Sequence, residues 1–176
     1  MNRASVTQII PTIHLVCGAT GAGKTTYALA LSNRLGAINF SIDAWMVTLF
    51  APDMPQPLNW AWISERVTRC ESQITETAFQ LGRMGISSIL DLGLLRADHR
   101  QRVAEAVLAS GQAVQLHFID VEATERWRRV NARNAEKGET FHLTVTREMF
   151  DFVENIWQPP TTGEMAAFKG VRVGTT

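Results

Sequence analysis

The chain is poor in the features that mark specialised protein classes. Its 176 residues hold only two cysteines, Cys17 and Cys70, too few and too far apart for a disulfide framework or a cysteine-based zinc site. An excess of charge is missing as well: 17 Lys and Arg face 17 Asp and Glu, which removes any global pull toward nucleic acid or an anionic membrane. No apolar run nears the roughly 18 residues of a membrane span. The segment from Met1 to Thr12 holds no apolar stretch of signal-peptide length. Repeats, low-complexity tracts and long charge blocks are absent. The four histidines, His14, His99, His117 and His142, show no metal-ligand spacing. The expectation is a reduced, cytoplasmic, globular protein, monomer or homodimer, with neither nucleic acid nor membrane as partner.

What is present is an ordinary folding composition, 45% hydrophobic and 19% charged. A chain of this length buries roughly 70% of its unfolded surface, so a single domain over 1–176 is expected. Short apolar runs alternate with helical periodicity. Strands are expected at Ile13–Cys17, Ala37–Ser41, Ile86–Leu92 and Ala113–Val121, with a possible edge strand at Val171–Val173. Helices are expected at Lys24–Leu35, Trp60–Gly82, Asp98–Ser110, Glu122–Ala135 and Thr146–Ile156. Pro52, Pro55 and Pro57 break the stretch after the second strand. Such alternation predicts a three-layer α/β domain, a parallel sheet covered on both faces.

The sharpest motif is Gly18-Ala19-Thr20-Gly21-Ala22-Gly23-Lys24-Thr25, which fits G-x-x-x-x-G-K-[ST] and lies between an apolar strand and an amphipathic helix. Glycines let the backbone curl so that successive N–H groups face an anion, and the helix N-terminus adds partial positive charge. Residues 18–26, ending in Thr26, are the expected nucleotide cradle. Within it Lys24 reaches the β- and γ-phosphates and Thr25 holds Mg²⁺. Further absences narrow the chemistry. No Asn-Lys-x-Asp base-reading motif of GTPases occurs, and Asp91 is followed by Leu92 rather than by the Glu that activates water in hydrolytic motors.

Asp43, just past the second strand, falls at the sheet edge that carries the phosphate loop. It is expected either to accept the proton of an attacking hydroxyl or to cap the next helix. No Lys or Arg occurs between Arg34 and Arg66, where a phosphorylated acceptor would need one; an uncharged hydroxyl acceptor is expected. Trp45, Trp60 and Trp62 could stack on that acceptor or pack on one another. Arg126, Arg129 and Arg133 share one helical arc, suited either to charge spreading on a phosphoryl group or to a solvated face; Arg129 and Arg133, nearest the Lys137-Gly138-Glu139 turn, are the expected catalytic pair. Phe141 and His142 would extend that turn into a lid, about 131–146. Asp91 is expected to order Mg²⁺ through water, to contact the acceptor, or to cap the next turn. Arg96 and Arg100 would touch a phosphate or cover the sheet edge.

Together, the strings Gly18 to Thr26, Ser41-Ile42-Asp43-Ala44-Trp45, Ile89-Leu90-Asp91-Leu92-Gly93 and Trp127 to Asn134 resemble a family of small P-loop kinases. These are the predicted kinases or AAA-family ATP-binding proteins related to chloramphenicol phosphotransferase, zeta toxin and gluconate kinase. The resemblance spans roughly Thr12 to Pro160. It implies five parallel strands in the order 2-3-1-4-5, an Arg-rich lid, ATP·Mg²⁺ as donor, and transfer of the γ-phosphoryl to a small-molecule hydroxyl. Lys24, Thr25, Asp43, Arg129 and Arg133 match the family's functional positions. An alternative of another class is a regulatory or toxin-like protein that binds nucleotide without turning over a small molecule.

Overall fold

The computed structural model describes residues 11–57, 59–136 and 144–174. Its framework is one parallel sheet built from β1 (Thr12–Cys17), β2 (Ile38–Ser41), β3 (Ser88–Asp91), β4 (Ala113–Asp120) and β5 (Val171–Gly174), ordered β2-β3-β1-β4-β5. The order implied by the resemblance is the one observed. Central β1 is buried on both sides because its neighbours and both helical layers cover it. The edge strands are short, and β5 is largely exposed.

Strand alternation sends successive side chains to opposite faces. Ile13, Leu15 and Cys17, with Leu90, Leu116 and Phe118, pack under α3 (Trp60–Arg83) and α4 (Ala97–Ala109) through Ile74, Ala78, Val103 and Val107. The opposite face, with Val16, Ile89 and Ile119, packs under α1 (Lys24–Leu35) through Ala28 and Leu31. The remaining helices are α2 (Ile42–Phe50), α5 (Ala123–Glu136), α6 (Arg147–Ile156) and α7 (Thr162–Ala167), with a short 3-10 turn at Ala51–Asp53.

Two elements exceed the expectation from sequence. The segment after β2 runs straight into α2, with Ser41 as its N-cap, before the prolines interrupt the chain. Beyond Pro159-Pro160 the chain resumes as α7, opened by a capping box between Thr161 and Glu164. Among the described residues no helix is long and apolar enough to cross a membrane. The expected lid turn, Lys137-Gly138-Glu139 with Phe141 and His142, lies outside the described residues.

Candidate active site

Parallel strands deliver their carboxyl ends to one edge. At that edge the chain leaves β1 into the loop 18–23, leaves β2 at Ser41, leaves β3 at Asp91 and leaves β4 at Asp120. The loop's glycines answer to contacts rather than to flexibility alone. A Cβ at Gly18 would lie 2.7 Å from the Ile119 carbonyl oxygen, and one at Gly21 2.5 Å from that of Arg126. Gly21 also takes a φ of 79° and Gly23 one of 93°, in the left-handed region that L side chains avoid.

Helix α1 starts directly from this loop. Gly23 offers no side-chain cap, and no acidic residue stands in the first turn, so the N–H groups there remain available to an anion. By contrast α2, α3, α6 and α7 are capped by Ser41, Asn59, Thr146 and Thr161. Lys24 Nζ crosses the loop to donate to the Ala19 carbonyl at 3.2 Å. Thr25 Oγ1 donates to Asp91 Oδ2 at 2.8 Å. The two residues read as metal ligands are 66 apart in sequence and meet because β3 pairs with β1. Asp91 is 5% exposed. Thr26 is exposed beside them, in the first turn of α1.

Ser41 and Asp91 are register partners on β2 and β3, which places Asp43 two residues past a neighbour of Asp91. Asp43 is exposed, and the capping of α2 falls to the Ser41 hydroxyl, which accepts from Ala44 N at 3.3 Å. Of the two readings open for Asp43, the cap is therefore taken by another residue. Trp45 is half-buried and packs edge-on against Phe40. Trp62 lies edge-on to Phe50 with the Arg66 guanidinium 3.8 Å over its ring. Trp60 is exposed and stacks on Phe152 of α6. The three tryptophans thus make separate contacts rather than one cluster.

The arginine arc of α5 divides. Arg129 Nη1 donates to the Ala22 carbonyl at 3.4 Å and its Nε to Glu125 at 2.7 Å. Hydrogen bonds from Arg128 and then Arg129 hold the Glu125 carboxyl down to about 2. Arg133 Nε is buried and has no hydrogen-bond partner among the described residues. Arg126 instead lies beneath the loop, 5% exposed, tied to Glu154, the Val121 carbonyl and the Thr20 carbonyl. It does not face the cradle as the shared arc suggested.

Arg100 requires a correction. It is fully buried, forms a two-pronged ion pair with Glu164 at 2.8 and 3.1 Å, and donates to the Leu94 and Leu95 carbonyls. Such a guanidinium fastens α7 to α4 and cannot reach a substrate. Arg96, on the surface, pairs with Asp98.

Sequence reasoning missed a buried polar chain behind the loop. Tyr27 Oη lies 2.8 Å from His117 Nδ1, and His117 Nε2 lies 2.9 Å from His14 Nδ1. The chain is satisfied with both rings neutral if Tyr27 donates to His117, whose Nε2–H donates to His14. Burial lowers both histidines, His117 to about 4, with the His14 and Arg34 charges adding to the effect on His117. Their only sequence signal was a histidine inside each of two expected strands.

Comparison with known proteins agrees with this architecture. A family model described as an AAA domain matches residues 13–155. No curated protein matches the chain. Among solved structures the fold is similar to a sugar kinase from Janibacter sp. HTCC2649, at 16% identity over 93% of this chain and 85% of that one, TM-score 0.64. It is similar to the Mycobacterium tuberculosis APS kinase in complex with AMPPNP and APS, at 18% identity over 93% and 88%, TM-score 0.62. It is also similar to Chaetomium thermophilum Kti12 in complex with ADP-AlF3, at 13% identity over 93% and 89%, TM-score 0.62. At such identities the likeness is one of fold. With matched span, strand order and phosphate loop in agreement, the chain belongs to the AAA-domain family and carries the fold of the small P-loop kinases.

Proposed function

We propose that this protein is an ATP-dependent kinase that transfers the γ-phosphoryl group to a hydroxyl of a small molecule. The observation that carries the reading is the 2.8 Å bond between Thr25 and Asp91 at the mouth of an uncapped helix whose first residue is Lys24. A hydroxyl and a carboxylate side by side are the hard oxygen donors Mg²⁺ takes, directly or through water. No cluster of three or more His, Cys, Asp or Glu gathers among the described residues, so phosphate oxygens and water would supply the other ligands. Magnesium bound there would offset negative charge on the β- and γ-phosphates.

The chain's own residues then have distinct tasks. Loop amides from 18–26 bind the phosphates, and the Lys24 ammonium leaves Ala19 O for the β- and γ-oxygens. Arg129, already at the Ala22 carbonyl, and Arg133, whose Nε has no hydrogen-bond partner among the described residues, offset charge on the equatorial oxygens of the moving phosphoryl group. Asp43, exposed and released from capping, accepts the proton of the acceptor hydroxyl as its oxygen attacks the γ-phosphorus and the bond to the β,γ-bridging oxygen breaks, releasing ADP. Trp45 stands on the same helix to contact the acceptor. The missing basic residues between Arg34 and Arg66 support an acceptor without a phosphate of its own.

Incubation with labelled ATP·Mg²⁺ and a pool of hydroxylated metabolites tests the reading: a phosphorylated small molecule is expected, and ATP binding with no transfer product would overturn it. Lys24→Ala abolishes transfer. Asp43→Asn lowers turnover about a hundredfold or more while the Kd for ATP stays nearly constant; unchanged turnover would remove Asp43 from the mechanism.

A further inference from the structure

Arg126 is the most connected charged side chain at the loop, and phosphate contact does not explain its place. Its Nη1 and Nη2 donate to the two carboxylate oxygens of Glu154 at 2.6 and 2.7 Å, its Nε donates to the Val121 carbonyl at 2.8 Å, and its Nη1 also reaches the Thr20 carbonyl at 3.3 Å. The Phe150 ring lies 5.4 Å from its guanidinium carbon. One buried cation thereby joins the end of β4, helix α6 and the middle of the phosphate loop.

We propose that Arg126 and Glu154 form a positioning pair that sets the loop's amides for a triphosphate, a role that rests on the nucleotide-binding reading above. In a trans peptide the carbonyl and the following N–H point in opposite directions. A guanidinium that holds the Thr20 carbonyl on the α5 side turns the Gly21 N–H to the other side, into the cradle. The same helix closes on Gly21 from behind, since its Arg126 carbonyl and Val130 methyl leave no room for a Cβ there.

Glu154 supplies the anchor. It fixes both terminal nitrogens of Arg126, and its helix is held against α5 by the Trp127–Phe150 ring contact at 5.2 Å and by Arg147 over both rings. Asn134 binds both the N–H and the carbonyl of Val145, tying the far end of α5 to the approach to α6. A shift of α6 relative to α5 is therefore felt at Thr20, and an ordered cradle holds α6 in return.

The test combines calorimetric titration with ATP·Mg²⁺ and amide hydrogen exchange of the 18–25 peptide without nucleotide. It is run on the full chain carrying Arg126→Met, Arg126→Lys or Glu154→Gln, with Arg83→Met of the exposed α3 ion pair as control. Arg126→Met is expected to weaken ATP binding about tenfold and to speed loop exchange well below its melting temperature. Glu154→Gln shifts both in the same direction by less, and Arg126→Lys recovers part of the loss. A purely structural role would lower the melting temperature and leave loop exchange at low temperature untouched. Unchanged affinity and loop exchange in folded Arg126→Met, or in the isosteric Glu154→Gln where Arg126→Met does not fold, overturns the proposal. Failure of the unaltered chain to bind any triphosphate would overturn the nucleotide reading, while loop exchange would still decide the positioning role.

Discussion

Single atoms decide the phosphate loop. A methyl group added at Gly21 would meet a backbone carbonyl at 2.5 Å and a valine methyl at 2.9 Å, at a φ of 79°. Neither neighbour is the free end of a flexible chain, so the loop itself must give way. Gly36, at the end of α1, has a similar backbone with a φ of 62° but nothing within 4 Å of a Cβ. Gly36→Ala is expected to cost about 1–2 kcal/mol, the strain of the left-handed region alone, with ATP affinity preserved. Gly21→Ala is expected to abolish measurable ATP binding and to destabilise by more than Gly36→Ala. Thermal melts and titration of the two variants check this; equal effects would mean that the approach of α5 does not constrain the loop. At this scale the loop from Gly18 to Thr25 and its place between β1 and α1 were legible in the sequence, because the covalent chain itself maintains that spacing.

Helices here are held by arginines whose partners come from other elements. Arg100 of α4, fully buried, pairs with the largely buried Glu164 of α7, and Glu164 also accepts from the Thr161 N–H at 3.1 Å in the capping box. Burial pushes the Glu164 carboxyl up, yet the Arg100 and Thr161 hydrogen bonds and the Arg100 charge outweigh it and leave the group lowered. Removing one partner of a buried pair strands the other, at a cost of about 3–5 kcal/mol. Arg100→Met should therefore lose about that much in urea titration and loosen α7 and β5, read as faster hydrogen exchange over 162–174 than over the central strands. A loss below about 1 kcal/mol would place the pair with ordinary surface bridges. The capping box of α7 could be read from Thr161 and Glu164 alone. That Glu164 also receives Arg100 could not, since those residues are 64 positions apart and no local pattern links them.

Across the molecule, stability should follow the buried histidines between α1 and the sheet. In the unfolded chain a histidine binds its proton near pH 6.5; folded His117 waits until about pH 4. Between those values the unfolded state holds more protons, so stability rises with pH. The contribution is complete above about pH 6.5 and declines as the pH falls toward 4, by roughly 3 kcal/mol from His117, with His14 lowered in the same sense. Urea titrations at about pH 7 and about pH 5 should show about 2 kcal/mol of this loss, and His117→Asn should flatten it. An unchanged midpoint in the unaltered protein would mean that the chain Tyr27–His117–His14 tolerates a proton.

By itself the sequence determined the alternating α/β layers, four of the five strands and the phosphate loop, and left the edge strand β5 open. Each depends on residues near one another along the chain, where 3.6- and 2-residue periods and a fixed loop spacing act directly. The meeting of Thr25 with Asp91, the burial of Arg100 and the turn of Arg126 beneath the loop depended on strand pairing and helix packing between distant segments. Arg126, Arg129 and Arg133 share one helical face in sequence, yet they carry different partners. Packing against α6 gives Arg126 a carboxylate, and nothing in a 3.6-residue repeat encodes which carboxylate lies on the other side of the interface. Local spacing sets which groups a segment can offer; only the tertiary structure decides which of them still face outward once every buried charge has found its counterion.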